Sequence, residues 1–176
     1  MHNVFETNRL ILRRLEEDDV DELAKVLSDE ESMKYYPHAF TKQEVINWIQ
    51  WNIENYKQYG YGLWAVIRKE DMVFLGDCGI TMQNIDNEIV PEVGFHIIKS
   101  YCRNGYASEA ARGSMEYVAT QYGIRKIYSY CEEHNIPSMS VMKKIGMKYE
   151  KKFERDRIIR VVYSKEFNTI SPVREN

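Results

Sequence analysis

The stretch E-V-G-F-H-I-I-K-S-Y-C-R-N-G-Y-A-S-E-A, Glu92 to Ala110, decides the fold. It reads as a strand that runs into a short loop holding Gly105, after which a helix opens with the small residues Ala107 and Ser108 in its first turn. N–H groups at such a helix start have no partner within the helix, and the macrodipole adds about half a positive charge there. The segment is therefore built to receive a phosphate or pyrophosphate. Gly105 and Ala107 let the backbone approach a ligand, and Arg103 adds a cation. A tight turn that merely starts a helix is the plainer alternative, and this segment alone does not separate the two.

Downstream, the helix continues to about Tyr122 with Ala107, Ala110, Ala111, Met115, Val118 and Ala119 on its buried side. A short strand, Lys126 to Cys131, and a short helix, Ile136 to Ile145, follow. Met147 to Glu154 and Ile158 to Phe167 then pair as a closing hairpin. Upstream, three strands arrive consecutively: Leu63 to Arg68, Val73 to Met82, and Glu88 to Ile98, the last two joined at the turn pair Asp86-Asn87. Before them, Thr7 to Leu15 reads as a strand with Leu10 and Leu12 facing the core. Val20, Leu23, Ala24 and Leu27 mark a helix beginning after Asp18. Thr41 with Glu44 forms a capping box for a second helix carrying Val45, Ile49, Ile53 and Tyr56, which Gly60 and Gly62 end. The order predicts an α/β (α+β) chain with a mixed sheet of about seven strands, since consecutive strands make hairpins and not a doubly wound array.

The 176 residues are one domain's worth, 1–176, with a core at about 7–168 and a polar tail, 169–176, expected to fray. Such a chain buries about 70% of its unfolded surface and needs no metal or disulfide staple. Three cysteines at no metal-like spacing imply neither a disulfide framework nor a metal site. With 24 basic and 27 acidic side chains, the net charge of −3 lacks the bulk footprint of a nucleic-acid binder. No run approaches the ~18–20 apolar residues of a membrane span, and Met1 to Arg14 has no signal-peptide core, so a cytoplasmic location is expected. The sequence leaves a homodimer open.

A second informative segment is C-E-E-H-N-I-P-S-M-S-V-M-K-K-I-G-M, Cys131 to Met147. Asn135 suits a helix N-cap, Pro137 the first helical turn and Gly146 the C-terminal glycine, roles that are wholly structural by themselves. Together the two segments resemble the GNAT superfamily of acyl-CoA-dependent N-acetyltransferases, and within it the Rim-type branch that acetylates ribosomal-protein N-termini. The Q/R-x-x-G-x-G/A pattern of that family is met by Cys102 to Ala107, and its N-x-x-S…K-x-G-F by Asn135, Ser138, Lys144, Gly146 and Met147. Glu6 to Arg13 and Gly60 to Val66 also match, so the resemblance spans nearly the whole chain. Three positions depart from the pattern. Cys102 stands in place of Gln or Arg, and Met147 in place of an aromatic. Met142 falls where other branches carry a tyrosine acid, and methionine donates no proton.

The resemblance implies a splayed sheet whose gap takes the pantetheine arm of acetyl-CoA along the backbone of Phe95, His96 and Ile97. The pyrophosphate would sit on the N–H groups of Arg103, Asn104, Gly105, Tyr106, Ala107 and Ser108, with Asn135 near the pantetheine. No metal is implied. The acceptor would be a small-molecule amine or a peptide N-terminus, attacked directly in a ternary complex. Glu92, on one strand face with Gly94 and His96, is the candidate base; the alternative is a solvated carboxylate at a strand start. Ser138 is the candidate partner of the departing thiolate, against a residue that only finishes a cap. Cys131 is a nucleophile candidate, against a small buried strand residue. His96 and His134 read as packed or surface histidines, and Glu109 as bonding locally at its helix start. Tyr35, Tyr36, Trp48, Trp51, Tyr61 and Trp64 are candidates to line an acceptor groove, while the helical spacing of Trp48 and Trp51 suits the core equally. A CoA-binding sensor or scaffold without turnover remains the competing function.

Overall fold

The structure, a computed structural model, describes residues 3–168. The frayed tail expected at 169–176 lies outside the described residues. Twelve regular elements follow in order: β1 (Asn3–Glu6), β2 (Leu10–Arg14), α1 (Val20–Leu27), α2 (Lys42–Tyr59), β3 (Leu63–Arg68), β4 (Phe74–Ile85), β5 (Glu88–Ile97), α3 (Tyr106–Tyr122), β6 (Lys126–Glu132), α4 (Ile136–Lys144), β7 (Lys148–Arg155) and β8 (Ile158–Glu166). The strands form one mixed sheet in the order β1-β2-β3-β4-β5-β6-β8-β7. There are eight, not about seven, because the chain turns at Thr7 and the segment before it pairs as β1 along β2.

β3 explains how the sheet is clothed. Trp64 and Val66 point into a core shared with α3 and α4, whereas Ala65 and Ile67 point into a second core shared with α1 and α2. A sheet covered on both faces needs apolar residues at both parities, so the unbroken run Leu63–Ile67 is buried throughout. The helix signals act as read. Glu44 N–H donates to Thr41 Oγ1 and Thr41 N–H to Glu44 Oε2, while Gly60 ends α2 in the left-handed region at φ +84°.

One position expected to face water does not. Arg13 is 9% exposed and holds Asp19, itself 7% exposed, through two hydrogen bonds of 2.7 and 2.6 Å. Alternation along β2 marks Arg13 as outward, but the chain folds back through Asp19 and covers it.

Two features place the functional site. β5 joins β6 through a single parallel register pair, Glu92 with Tyr128, and beyond it the sheet parts. On the other side β5 pairs with β4 along its whole length, Asp77 opposite His96 and Gly76 opposite Ile97. A bulge in β4 at Leu75 interrupts its pairing with β3, while its register on β5 runs unbroken. Gly76 adopts φ +145°, and a Cβ there would lie 1.9 Å from the His96 carbonyl oxygen, so only glycine allows the approach.

Candidate active site

The start of α3 is an uncapped, cation-rich cradle. Gly105 is its N-cap at φ +81°, with no side chain satisfying the helix N–H groups, and Arg103 before it is also left-handed at φ +65°. A Cβ on Gly105 would meet Arg9 Nη2 at 3.4 Å and Lys144 Nζ at 3.9 Å, which puts two cations beside the cradle. Arg9 is fixed there: its Nε donates to Glu109 at 2.7 Å, its Nη1 to the Asn104 carbonyl at 3.0 Å, and its guanidinium lies over the Tyr106 ring. Asn104 steadies the loop by donating its amide to the carbonyls of Tyr101 and Cys102. The side chains of Tyr106 and Ser108 are buried, so these residues offer only their backbone to a ligand. Glu109 does not bond locally. It reaches across to Thr7 Oγ1 and to the Arg9 backbone and guanidinium, tying α3 to the β1–β2 turn.

Where β5 and β6 part, Phe95, His96 and Ile97 keep the edge facing β6 without a strand partner among the described residues. At the base of the gap lies Glu92, 9% exposed and not the solvated carboxylate of the alternative reading. Burial raises its carboxyl to about 7, opposed by the charge of His96 and a hydrogen bond from Ser129 Oγ at 3.4 Å. Across the gap, burial pushes the Cys131 thiol up to about 11 although Ser138 hydrogen-bonds to it. A thiol at that value is protonated at neutral pH, which argues against a nucleophile. Asn135 Oδ1 accepts from the Ser138 N–H at 3.1 Å and so starts α4, leaving the Ser138 hydroxyl uncommitted to the cap. Glu92, Cys131 and Ser138 thus gather around one opening. Met142, at the position of the family's tyrosine acid, is fully buried.

The largest departure from the sequence reading lies beside Glu92. His96 is neither simply packed nor on the surface. Its Nδ1 meets Asp77 Oδ1 at 2.7 Å and its Nε2 meets the Tyr36 hydroxyl at 2.7 Å. Asp77 is wholly buried and takes a second hydrogen bond from Trp48 Nε1 at 2.9 Å. Burial pulls the His96 imidazole down, but the charge and hydrogen bond of Asp77, with Glu92 adding to them, leave it raised. Tyr36 is 41% exposed as a residue, but its hydroxyl turns in to His96, where the packed surroundings and Glu92, Asp77, Tyr130 and Cys131 raise it. Asp77 was visible as a lone carboxylate in the apolar run Leu75–Ile80, and a buried charge demands a partner. Nothing in the sequence says which partner.

Among the described residues no group of three His, Cys, Asp or Glu is arranged to hold a metal, and no helix is long and apolar enough to cross a membrane.

Comparison with known proteins identifies the family of the chain. The sequence model of the acetyltransferase (GNAT) domain matches residues 9–148. The uncharacterized N-acetyltransferase YnaD of Bacillus subtilis (strain 168) is 32% identical over 151 residues, 85% of each chain. The structure of a GNAT-family acetyltransferase from Bacillus anthracis superposes with a TM-score of 0.79 at 26% identity, covering 92% of this chain and 96% of that one. A ribosomal L7/L12 alpha-N-protein acetyltransferase, RimL, solved in complex with coenzyme A, shares the fold at 18% identity, with a TM-score of 0.76 over 94% and 98% of the two chains.

Proposed function

We propose, from the premise that this chain belongs to the GNAT acetyltransferase family, that it acetylates a primary amine, a protein N-terminus or a small-molecule amine, by direct attack in a ternary complex. The family uses acetyl-CoA, which supplies the activated acetyl thioester. The observation that carries the reading is the conjunction of the splay at Glu92 with the uncapped start of α3. A β-strand edge for the pantetheine amides thus precedes, by a few residues of chain, a cationic cradle for the phosphates.

The residues fit that co-substrate. The N–H groups of Arg103 to Ser108, with Arg9 and Lys144 beside Gly105, hold the phosphates. The open edge at Phe95, His96 and Ile97 orients the pantetheine, and Asn135 lies at the other wall of the gap. Glu92 takes the proton of the incoming ammonium, for which a carboxyl at about 7 is well matched. The demand is modest for an α-amine of pKa ~8, about 1.4 kcal/mol at pH 7, and about 4.6 kcal/mol for a lysine amine at ~10.4. The Ser138 hydroxyl donates to the thiolate as charge develops there. Cys131 has no part in the transfer.

The test is calorimetric binding of CoA to Gly105→Glu. A carboxylate there would be drawn to Arg9 and Lys144, taking the place of a phosphate, and CoA affinity should be lost with the fold kept. Unchanged affinity in a folded variant refutes the cradle. In the wild type, CoA binding without thiol release from acetyl-CoA on a panel of amines and peptides would favour a scaffold over an enzyme.

A further inference from the structure

We propose that Tyr36, His96 and Asp77 form a proton relay, separate from Glu92, that removes the second proton of the acceptor amine as the amide bond forms. The inference rests on the acetyl-transfer reading and deepens it. An ammonium R–NH3+ that becomes an amide R–NH–CO– loses two protons. Glu92 accounts for the first, which must leave before attack because an ammonium has no lone pair. The second becomes acidic only when nitrogen has begun to bond to carbon, and a carboxylic acid that already carries a proton does not take it.

The hydrogen bonds set the direction of the relay. Asp77 is buried, and among the described residues its oxygens take N–H bonds from His96 Nδ1 and Trp48 Nε1. In the neutral imidazole, the form the relay works from, the proton is thereby held on Nδ1, leaving Nε2 as an acceptor for the Tyr36 O–H. A lone pair of the Tyr36 oxygen remains for the acceptor amine. As the N–C bond forms, the nitrogen's proton passes to Tyr36 Oη while the phenolic proton passes to His96 Nε2. The resulting imidazolium is stabilised by Asp77. The C–S bond breaks with its electron pair on sulfur, and the proton held by His96 returns through Tyr36 to the thiolate, which balances the transfer.

The placement suits this role. Tyr36 comes from the connection between α1 and α2, so it sits over the face of β4 and β5 that carries Asp77, Glu92 and His96. Asp77 and Glu92 are the charged groups facing His96, with Tyr36 and the Trp48 edge closing around it. Tyr130 and Cys131 of β6 face Tyr36 from across the gap. With the apolar Met142 at the family's tyrosine position, Tyr36 supplies a phenol from a different element. Tyr36 and His96 are catalytic residues on this account, and Asp77 is a positioning residue.

The relay and Glu92 separate by pH. Thiol release from acetyl-CoA is followed with Ala- and Ser-initiated peptides, free lysine and phenethylamine. Glu92→Gln should recover as pH rises toward the amine pKa. Tyr36→Phe and His96→Gln should stay 10–100-fold below wild type in kcat at every pH, with KM for acetyl-CoA within a few-fold, because the second proton leaves only in the transition state. A Tyr36→Phe enzyme within twofold of wild type, or one that recovers at high pH, overturns the relay. The second readout needs no turnover. Nitrogen-15 NMR of the free protein should show neutral His96 protonated on Nδ1, with Tyr36→Phe moving the Nε2 resonance and Asp77→Asn switching the tautomer and lowering kcat. A wild-type His96 protonated on Nε2 overturns the relay whatever the kinetics. Wild-type silence toward all four acceptors counts against acetyl transfer itself, and the relay falls with it.

Discussion

Replacing Glu92 by Gln should stabilise the protein, and by an amount that depends on pH. An ordinary glutamate titrates near 4.5, whereas burial raises Glu92 to about 7. A carboxyl whose pKa is raised in the folded state favours the protonated native form. The native state is therefore penalised as pH climbs from 4.5 through about 7, and the whole penalty stands above that. A gap of ~2.5 pH units at ~1.36 kcal/mol each gives about 3 kcal/mol. Gln keeps the shape and never ionises, and the Ser129 oxygen lies within reach of its amide. The variant should exceed wild type by about 2–3 kcal/mol at pH 8, with the difference closing toward pH 4.5. Urea denaturation of both proteins at pH 4.5, 6, 7 and 8 reads this directly, provided the two m-values agree. A difference that is flat with pH, or a Gln variant less stable at pH 8, would refute the claim that this carboxyl is held in a desolvated site. The burial that costs stability is also what tunes the group for proton transfer near neutrality.

Two further expectations test other parts of the molecule. Ser138→Ala should lower turnover by about 10–100-fold and leave CoA affinity within a few-fold, since Asn135 caps the Ser138 amide and not its hydroxyl; equal losses of both would assign Ser138 to cofactor binding. Asp19→Ala strands the buried Arg13 guanidinium and should cost about 3–5 kcal/mol in chemical denaturation, and a loss under 1 kcal/mol would mean that water reaches Arg13.

What the sequence determined by itself is mostly local. The capping box at Thr41, the left-handed Gly60, the Asp86-Asn87 turn and the Asn135 cap each act over three or four residues, so the chain announces its element boundaries without any partner. The cradle at Gly105 is legible for the same reason: a glycine before a helix with small first-turn residues needs only its own backbone to expose N–H groups. The matching motif blocks, in order along the chain, then carried the fold. Tertiary structure alone decided whatever depends on which strand lies beside which. Asp77 and His96 are 19 residues apart and Tyr36 and His96 are 60 apart; the register of β4 on β5 brings the first pair together, and the packing of the α1–α2 connection over that face the second. Glu109 meets Thr7 across 102 residues, and Arg13 is covered by a turn that strand alternation does not see. Local signals determine where a chain turns and caps. A buried polar group instead takes the partner that the packed fold places within about 3 Å, because leaving it unpaired costs more than any local preference returns.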